Sequence, residues 1–243
     1  MHVLKLLKNM YGLQQAGHNW YNSLTDHLLT AGFQQSNVDK CLVIQDDCII
    51  VIYVDDCLLF RKSDDVLDKM ILSLRQIFKI TTTANLETYL GLEISQNGNG
   101  TITLRQPGLI DKVIKICGLE SESNTRLTLV DKILQNNDTI NEPRLHQWSY
   151  CQVIGILSYI VASTQPDITF TIHECTRFSA DLKYHHEITV RQIVGYLKGA
   201  RDKGYILHPT DTPTIDCYAD ADFAGAWTSE TLEEPSSAYS RSG

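Results

Sequence analysis

The sequence has little of what would place it in a membrane, outside the cell or, as a whole, on nucleic acid. No apolar run approaches the roughly 18 residues needed to cross a bilayer, because Asp55 and Asp56 interrupt the best candidate. The first residues lack the charged, apolar and small-residue order of a secretory signal. Both absences lead to the expectation of an intracellular protein with no membrane partner. The cysteines stand at 41, 48, 57, 117, 151, 175 and 217 without a Cys-x-x-Cys pair. Neither a zinc site nor a disulfide framework is therefore indicated, and reduced core thiols are expected. Lys and Arg total 21 against 29 Asp and Glu, a net charge of −8. That balance argues against a nucleic-acid binder at the level of the whole chain, so any such binding must be local or divided with another segment. No linker-like opening precedes Leu4, Leu6, Leu7 and Tyr11, so the chain is expected to begin inside a domain. What is present suffices to fold: 243 residues with 43% hydrophobic content can form one large core or two modest ones.

The most informative stretch is 48–60, where two adjacent carboxylates break a strongly apolar run. Ile49 to Val54 is rich in β-branched and aromatic residues, as in a strand buried on both faces, and Leu58 to Phe60 resumes that character. A tight hairpin with Asp55 and Asp56 at its tip is the simplest geometry. Aspartate tolerates the positive φ of two-residue hairpin turns, so conformation alone can explain the pair. The chemical alternative is that neighbouring carboxylates repel unless a hard cation lies between them, and Mg²⁺ takes one or two carboxylates plus substrate phosphates.

Around this hairpin the pattern is regular. Apolar residues recur at helical spacing from Leu13 to Ala31, with Gly32 placed to end the helix. Cys41 to Ile44 reads as a strand and Asp46-Asp47 as a turn. Ser63-Asp64-Asp65 starts a helix whose stripe is Val66, Leu67, Met70, Ile71, Leu74 and Phe78. Tyr89 to Ile94 and Thr101 to Leu104 flank Asn97-Gly98-Asn99-Gly100, a hairpin signal. Pro107 opens a helix through Ile116, capped by Gly118. Residues 120–144 form the best linker candidate, and three helical patterns follow over 145–163, 167–180 and 185–199. Lys183, Arg191, Lys198, Arg201 and Lys203 make the last of these the most basic region, read as a solvated face. Thr214 to Ala219 reads as a strand delivering Asp220 and Asp222.

Taken in order, these motifs resemble the reverse transcriptase of copia-type (pseudovirus-class) retrotransposons. The anchors are Leu7 to Ala16 with Trp20-Tyr21, Gly32-Phe33, Asp39, Tyr53-Val54-Asp55-Asp56, Tyr89 to Ile94, Gly155 to Tyr159, Pro166-Asp167-Ile168, Tyr196 to Gly199 and Asp220 to Gly225. Each is weak alone; the ordered set is specific. The resemblance implies an α+β polymerase palm, an antiparallel sheet with helices packed on one face, followed by thumb and connection helices and the start of a ribonuclease H-like sheet. The expected divisions are 1–106 for partial fingers and palm with both hairpins, 107–142 for thumb and linker, 143–213 for connection helices and 214–243 for the nuclease start.

The resemblance also implies roles. Asp55 and Asp56 would be the catalytic and metal-holding carboxylates of an RNA-directed DNA polymerase, with Mg²⁺ as cofactor and Mn²⁺ as a substitute. Tyr11, Gly12, Gln14, Gln15 and Tyr53 would face template and nucleotide, the glycine permitting close backbone approach. Tyr89, Leu90 and Gly91 would grip the primer. Asp220 would be the first metal ligand of an incomplete ribonuclease H site. RNA template, DNA primer and dNTPs would be the partners, in a cytoplasmic element particle. Three departures stand out. A third palm carboxylate is expected upstream of Tyr11, where the chain has none. Gln14, His18 and Gln165 occupy positions where relatives commonly carry Lys or Arg, each a lost positive charge that could have met a phosphate or an acidic partner. The nuclease portion stops before its other acidic ligands. The expectation is thus a fragment of a mobile-element polyprotein that binds nucleic acid weakly and does not polymerise alone. The alternatives are a non-catalytic binding or assembly module and, more distantly, another palm-like enzyme such as a nucleotidyl cyclase.

Overall fold

The computed structural model describes residues 10, 12–61, 64–83, 85–121, 147–179, 182–210, 221–223 and 240–242. Tyr11, Asp220, most of the expected linker and the expected strand over 214–219 lie outside the described residues. The chain divides into two units, Met1–Ala84 and Asn85–Gly243.

In the first unit, α1 (Ala16–Thr30) precedes a four-stranded antiparallel sheet of β1 (Gln34–Gln35), β2 (Leu42–Gln45), β3 (Cys48–Tyr53) and β4 (Asp56–Arg61), after which comes α2 (Asp64–Ile77). The helix begins three residues later than the spacing from Leu13 suggested, because Gln14 and Gln15 form a turn ahead of it. It ends where expected. Gly32 takes φ +96°, which lets its N–H reach Leu29 O and the Phe33 N–H reach Leu28 O, the paired bonds of a Schellman cap. Gly118 does the same for α3 (Pro107–Ile116), at φ +66°. Leu24 and Leu28 of α1 and Met70 and Leu74 of α2 are i, i+4 pairs. They bury against Phe33, Val43, Cys48, Ile50 and Ile52. Each such side chain contributes about 1.5–3 kcal/mol on burial. Among the described residues of this unit the sheet is covered on one face. Cys48, Ile50 and Ile52 point into this core while Ile49 and Tyr53 are exposed, so the expectation of burial on both faces is corrected to the alternation of a one-sided antiparallel sheet.

In the second unit, β5 (Thr88–Tyr89), β6 (Leu92–Gln96), β7 (Ile102–Arg105) and β8 (Tyr205–Leu207) form a second antiparallel sheet. The hairpin read from Asn97 to Gly100 is present, with Gln96 opposite Ile102. Tyr89 to Ile94 is not one strand, however: the chain reverses at Leu90-Gly91, and Tyr89 pairs with Leu92. The fourth strand comes from far along the chain, Leu104 pairing with Tyr205. Helix α3 shares one apolar core with α4 (Tyr150–Ser163), α5 (Thr169–Thr176, entered by a tight turn at Pro166–Ile168) and α6 (Tyr184–Gly199). Ile110, Val113, Leu157, Ile160, Val190, Ile193 and Leu197 fill its centre. The helix expected to open the thumb packs with the helices expected to form the connection. Finally, β9 (Ala221–Phe223) pairs with β10 (Ser240–Ser242) in a two-stranded ribbon.

Candidate active site

The site starts from the β3–β4 hairpin. Ile50 faces Leu59, Val51 faces Leu58 and Tyr53 faces Asp56, so the two residues left to turn the chain are Val54 and Asp55. The expectation that both aspartates occupy the tip is corrected by one residue. Asp55 is in the turn and Asp56 opens β4. The positive φ expected of an aspartate falls instead on Val54, at +52°. A β-branched side chain is a genuine outlier there, at a cost of about 1–2 kcal/mol.

Something must hold that geometry. Trp20, in the second turn of α1, donates its indole N–H to the Val54 carbonyl at 2.9 Å. Its ring is braced edge-on by Phe78, with centroids 5.0 Å apart and planes at 84°. Nearby, Tyr21 donates to Lys40 O at 2.6 Å, and the Asp39 carboxylate accepts from the Cys41 N–H at 2.8 Å. These bonds account physically for two of the sequence anchors: they tie α1 and the β1–β2 connection to the hairpin's sheet.

Tyr53, Asp55 and Asp56 are exposed, and among the described residues neither carboxylate is hydrogen-bonded or ion-paired to another side chain. Two adjacent hard oxygen donors open to solvent fit a Mg²⁺-type ion completed by substrate phosphates. Among the described residues no group of three or more His, Cys, Asp or Glu could hold a metal ion. Burial, and then the Asp56 charge, push the Cys57 thiol up to about 11, so it stays neutral beside the pair. Gly12, Gln14 and Gln15 are exposed in the turn ahead of α1. Gly12 takes φ +89°, which favours glycine, and a Cβ there would meet no protein atom within 4 Å. His18 is exposed and bonded to Asn22 at 3.1 Å.

The Tyr89–Gly91 segment, in the second unit, repeats the device at Val54. Leu90 and Gly91 have φ of +50° and +77°. The Leu90 carbonyl accepts the Tyr159 hydroxyl of α4 at 2.5 Å. Tyr89 is half-buried and Gly91 exposed.

Two sequence readings are corrected in this unit. Gln165 is buried and donates to Lys203 O at 3.0 Å and Ala200 O at 3.5 Å, so it has no access to a phosphate. The α6 cations are not simply a solvated face. Arg191 donates to Cys117 O at 2.5 Å, and Lys198 to Leu119 O at 2.8 Å and Glu120 O at 3.1 Å. Arg191 thus caps the C-terminal end of α3, where unsatisfied carbonyls and the helix dipole favour positive charge, and Lys198 holds the chain just beyond it. Just past α6, Arg201 makes two bonds to Asp111, at 2.7 and 2.6 Å, which hold the Asp111 carboxyl below its usual range.

The donor roles of Trp20 and Tyr159 were not read from the sequence. The available signal is chemical: indole N–H and phenol O–H groups packed against a core usually find a polar partner.

The chain belongs to the family described as reverse transcriptase (RNA-dependent DNA polymerase), whose match covers residues 1–132. Its relatives are Pol polyproteins of copia-type retrotransposons. It is similar to the retrovirus-related Pol polyprotein from transposon RE1 of Arabidopsis thaliana, 29% identical over 230 residues. To that from transposon TNT 1-94 of Nicotiana tabacum it is 24% identical over 234 residues. Each match covers 92% of this chain but only 15% and 18% of the polyprotein, respectively. The transposon Ty5-1 protein YCL074W of Saccharomyces cerevisiae is 27% identical over 228 residues, covering 90% of this chain and 72% of that protein. No solved structure matches the chain.

Proposed function

We propose that the chain supplies the palm hairpin and primer-positioning segment of an RNA-directed DNA polymerase acting on an RNA template, a DNA primer and dNTPs. The observation that carries this reading is the β3–β4 hairpin, where Asp55 in the turn and Asp56 at the start of β4 lie exposed and adjacent on a sheet backed by two helices, in a chain of the reverse transcriptase family. Asp55 and Asp56 hold a divalent cation, Mg²⁺ or in its place Mn²⁺. When bound, that ion supplies charge neutralisation at the reacting oxygens and phosphates of nucleotidyl transfer. Tyr53, exposed beside the pair, and the Tyr11 to Gln15 segment contact nucleotide and template. Tyr89, Leu90 and Gly91 aim the primer end. Asp220 is the first metal-binding carboxylate of an incomplete ribonuclease H-like portion over 214–243.

Residues 1–10 contain no carboxylate. We assign the third metal-binding group to a polyprotein segment beyond these 243 residues, and the chain alone is expected to give no primer extension. Removing even one preorganised electrostatic group costs on the order of 10²–10³ in rate. The test joins the chain to the upstream fingers and Asp-bearing strand of a copia-type relative and measures extension on an RNA template. Extension that Asp55→Asn abolishes supports the reading. A folded but inactive fusion, or extension by the chain alone, overturns it.

A further inference from the structure

The β3–β4 turn combines an unfavourable backbone conformation with a donor from a distant helix. Val54 holds φ +52° although its side chain is exposed, so no packing of that side chain demands the conformation. Its carbonyl accepts the 2.9 Å bond from Trp20 Nε1, which ties α1 to the turn. Trp20 is itself fixed by the edge contact with Phe78. This places the donor on a rigid part of the core rather than on a loop. Rotating the Val54 peptide back to negative φ would swing its carbonyl away from the indole and shift both carboxylates that follow.

Resting on the proposal that Asp55 and Asp56 hold a divalent cation, we infer that Trp20 is a positioning residue for that pair: its indole N–H holds Val54 in the left-handed conformation from which the chain presents the two carboxylates together. Trp20 acts through the Val54 carbonyl alone and touches neither metal nor substrate. The role is separable from its packing, because Trp20→Phe keeps a ring against Phe78 but removes the donor. It is also separable from Val54's conformational burden, because Val54→Gly adopts positive φ unaided.

The experiment uses the full chain in three variants, Trp20→Phe, Val54→Gly and the double variant. Amide hydrogen exchange at Asp55 and Asp56 reports the turn, and Mn²⁺ titration followed by water-proton relaxation reports the pair. Losing one hydrogen bond of ordinary strength should speed exchange at these two amides by about three- to tenfold in Trp20→Phe, with Mn²⁺ affinity falling by a similar factor. Exchange elsewhere in β3 and β4 should stay unchanged. In the Val54→Gly background the same Trp20→Phe change should have a smaller effect on both readouts. Uniformly faster exchange across the sheet, or an equal effect in both backgrounds, would show that Trp20 is only a packing residue and overturn the inference. Should the unaltered chain bind no Mn²⁺, the functional reading of the pair fails, while the exchange data still decide whether Trp20 holds the turn.

Discussion

At the scale of single residues, the thiols and the strained turn make firm predictions. Burial pushes Cys117 and Cys175 up to about 12. In the unfolded chain these thiols ionise near 9, so between pH 9 and 12 the folded state binds more protons and stability falls as pH rises. Each thiol contributes a slope of up to about 1.4 kcal/mol per pH unit in that window. Urea midpoints at pH 8 and pH 10.5 should show the loss, and Cys175→Ala should flatten it. A slope that Cys175→Ala leaves unaltered would contradict the burial. Val54→Gly gives an independent check. Relief of the positive φ outweighs the extra freedom of glycine in the unfolded chain, so stability should rise by about 0.5–1 kcal/mol. Chemical denaturation measures it, and a loss of stability would mean that Val54 is not strained.

At the scale of elements, the second unit is held by contacts that join helix ends far apart in sequence. Lys198 serves the chain just beyond α3 rather than a ligand. Lys198→Ala should lower stability by about 0.5–1 kcal/mol and leave nucleic-acid affinity nearly unchanged, as read by thermal unfolding and anisotropy on the same samples. The opposite pattern, normal stability with weakened binding, would return this cation to a nucleic-acid surface. Gln165 joins the end of α4 to the segment after α6. Gln165→Ala removes the side-chain donor to the Lys203 carbonyl, while the Ala200 carbonyl keeps the Lys203 N–H, for a loss of about 1–3 kcal/mol. Gln165→Lys should destabilise as well, since a buried ammonium is costlier still, and should not improve RNA binding.

At the scale of the whole molecule, charge decides. The net charge is −8, and Arg191, Lys198 and Arg201 are already engaged within the fold. Each phosphate contact forgone removes roughly 0.9 from the slope of log affinity against log salt. The isolated chain should therefore bind an RNA–DNA duplex weakly and with a shallow salt dependence. Fluorescence anisotropy across a salt series tests this, and nanomolar affinity at physiological salt would show a basic surface that the fold does not present.

The sequence by itself determined the elements whose causes are local. Helical periodicity placed α1 and α2 to within a few residues, and Asp46-Asp47 and Asn97 to Gly100 placed two turns through their backbone preferences. Gly32 and Gly118 marked two helix ends because few other residues take their φ. The ordered motifs also sufficed to assign the family. Only the tertiary structure decided which polar groups are spent inside the fold. That Gln165 and the α6 cations serve backbone carbonyls, that β8 pairs with β7, and that Trp20 reaches Val54 all depend on segments 34 or more residues apart. No local period or turn preference encodes such pairings. They follow from the need of every buried donor and acceptor for a partner once the apolar faces have packed.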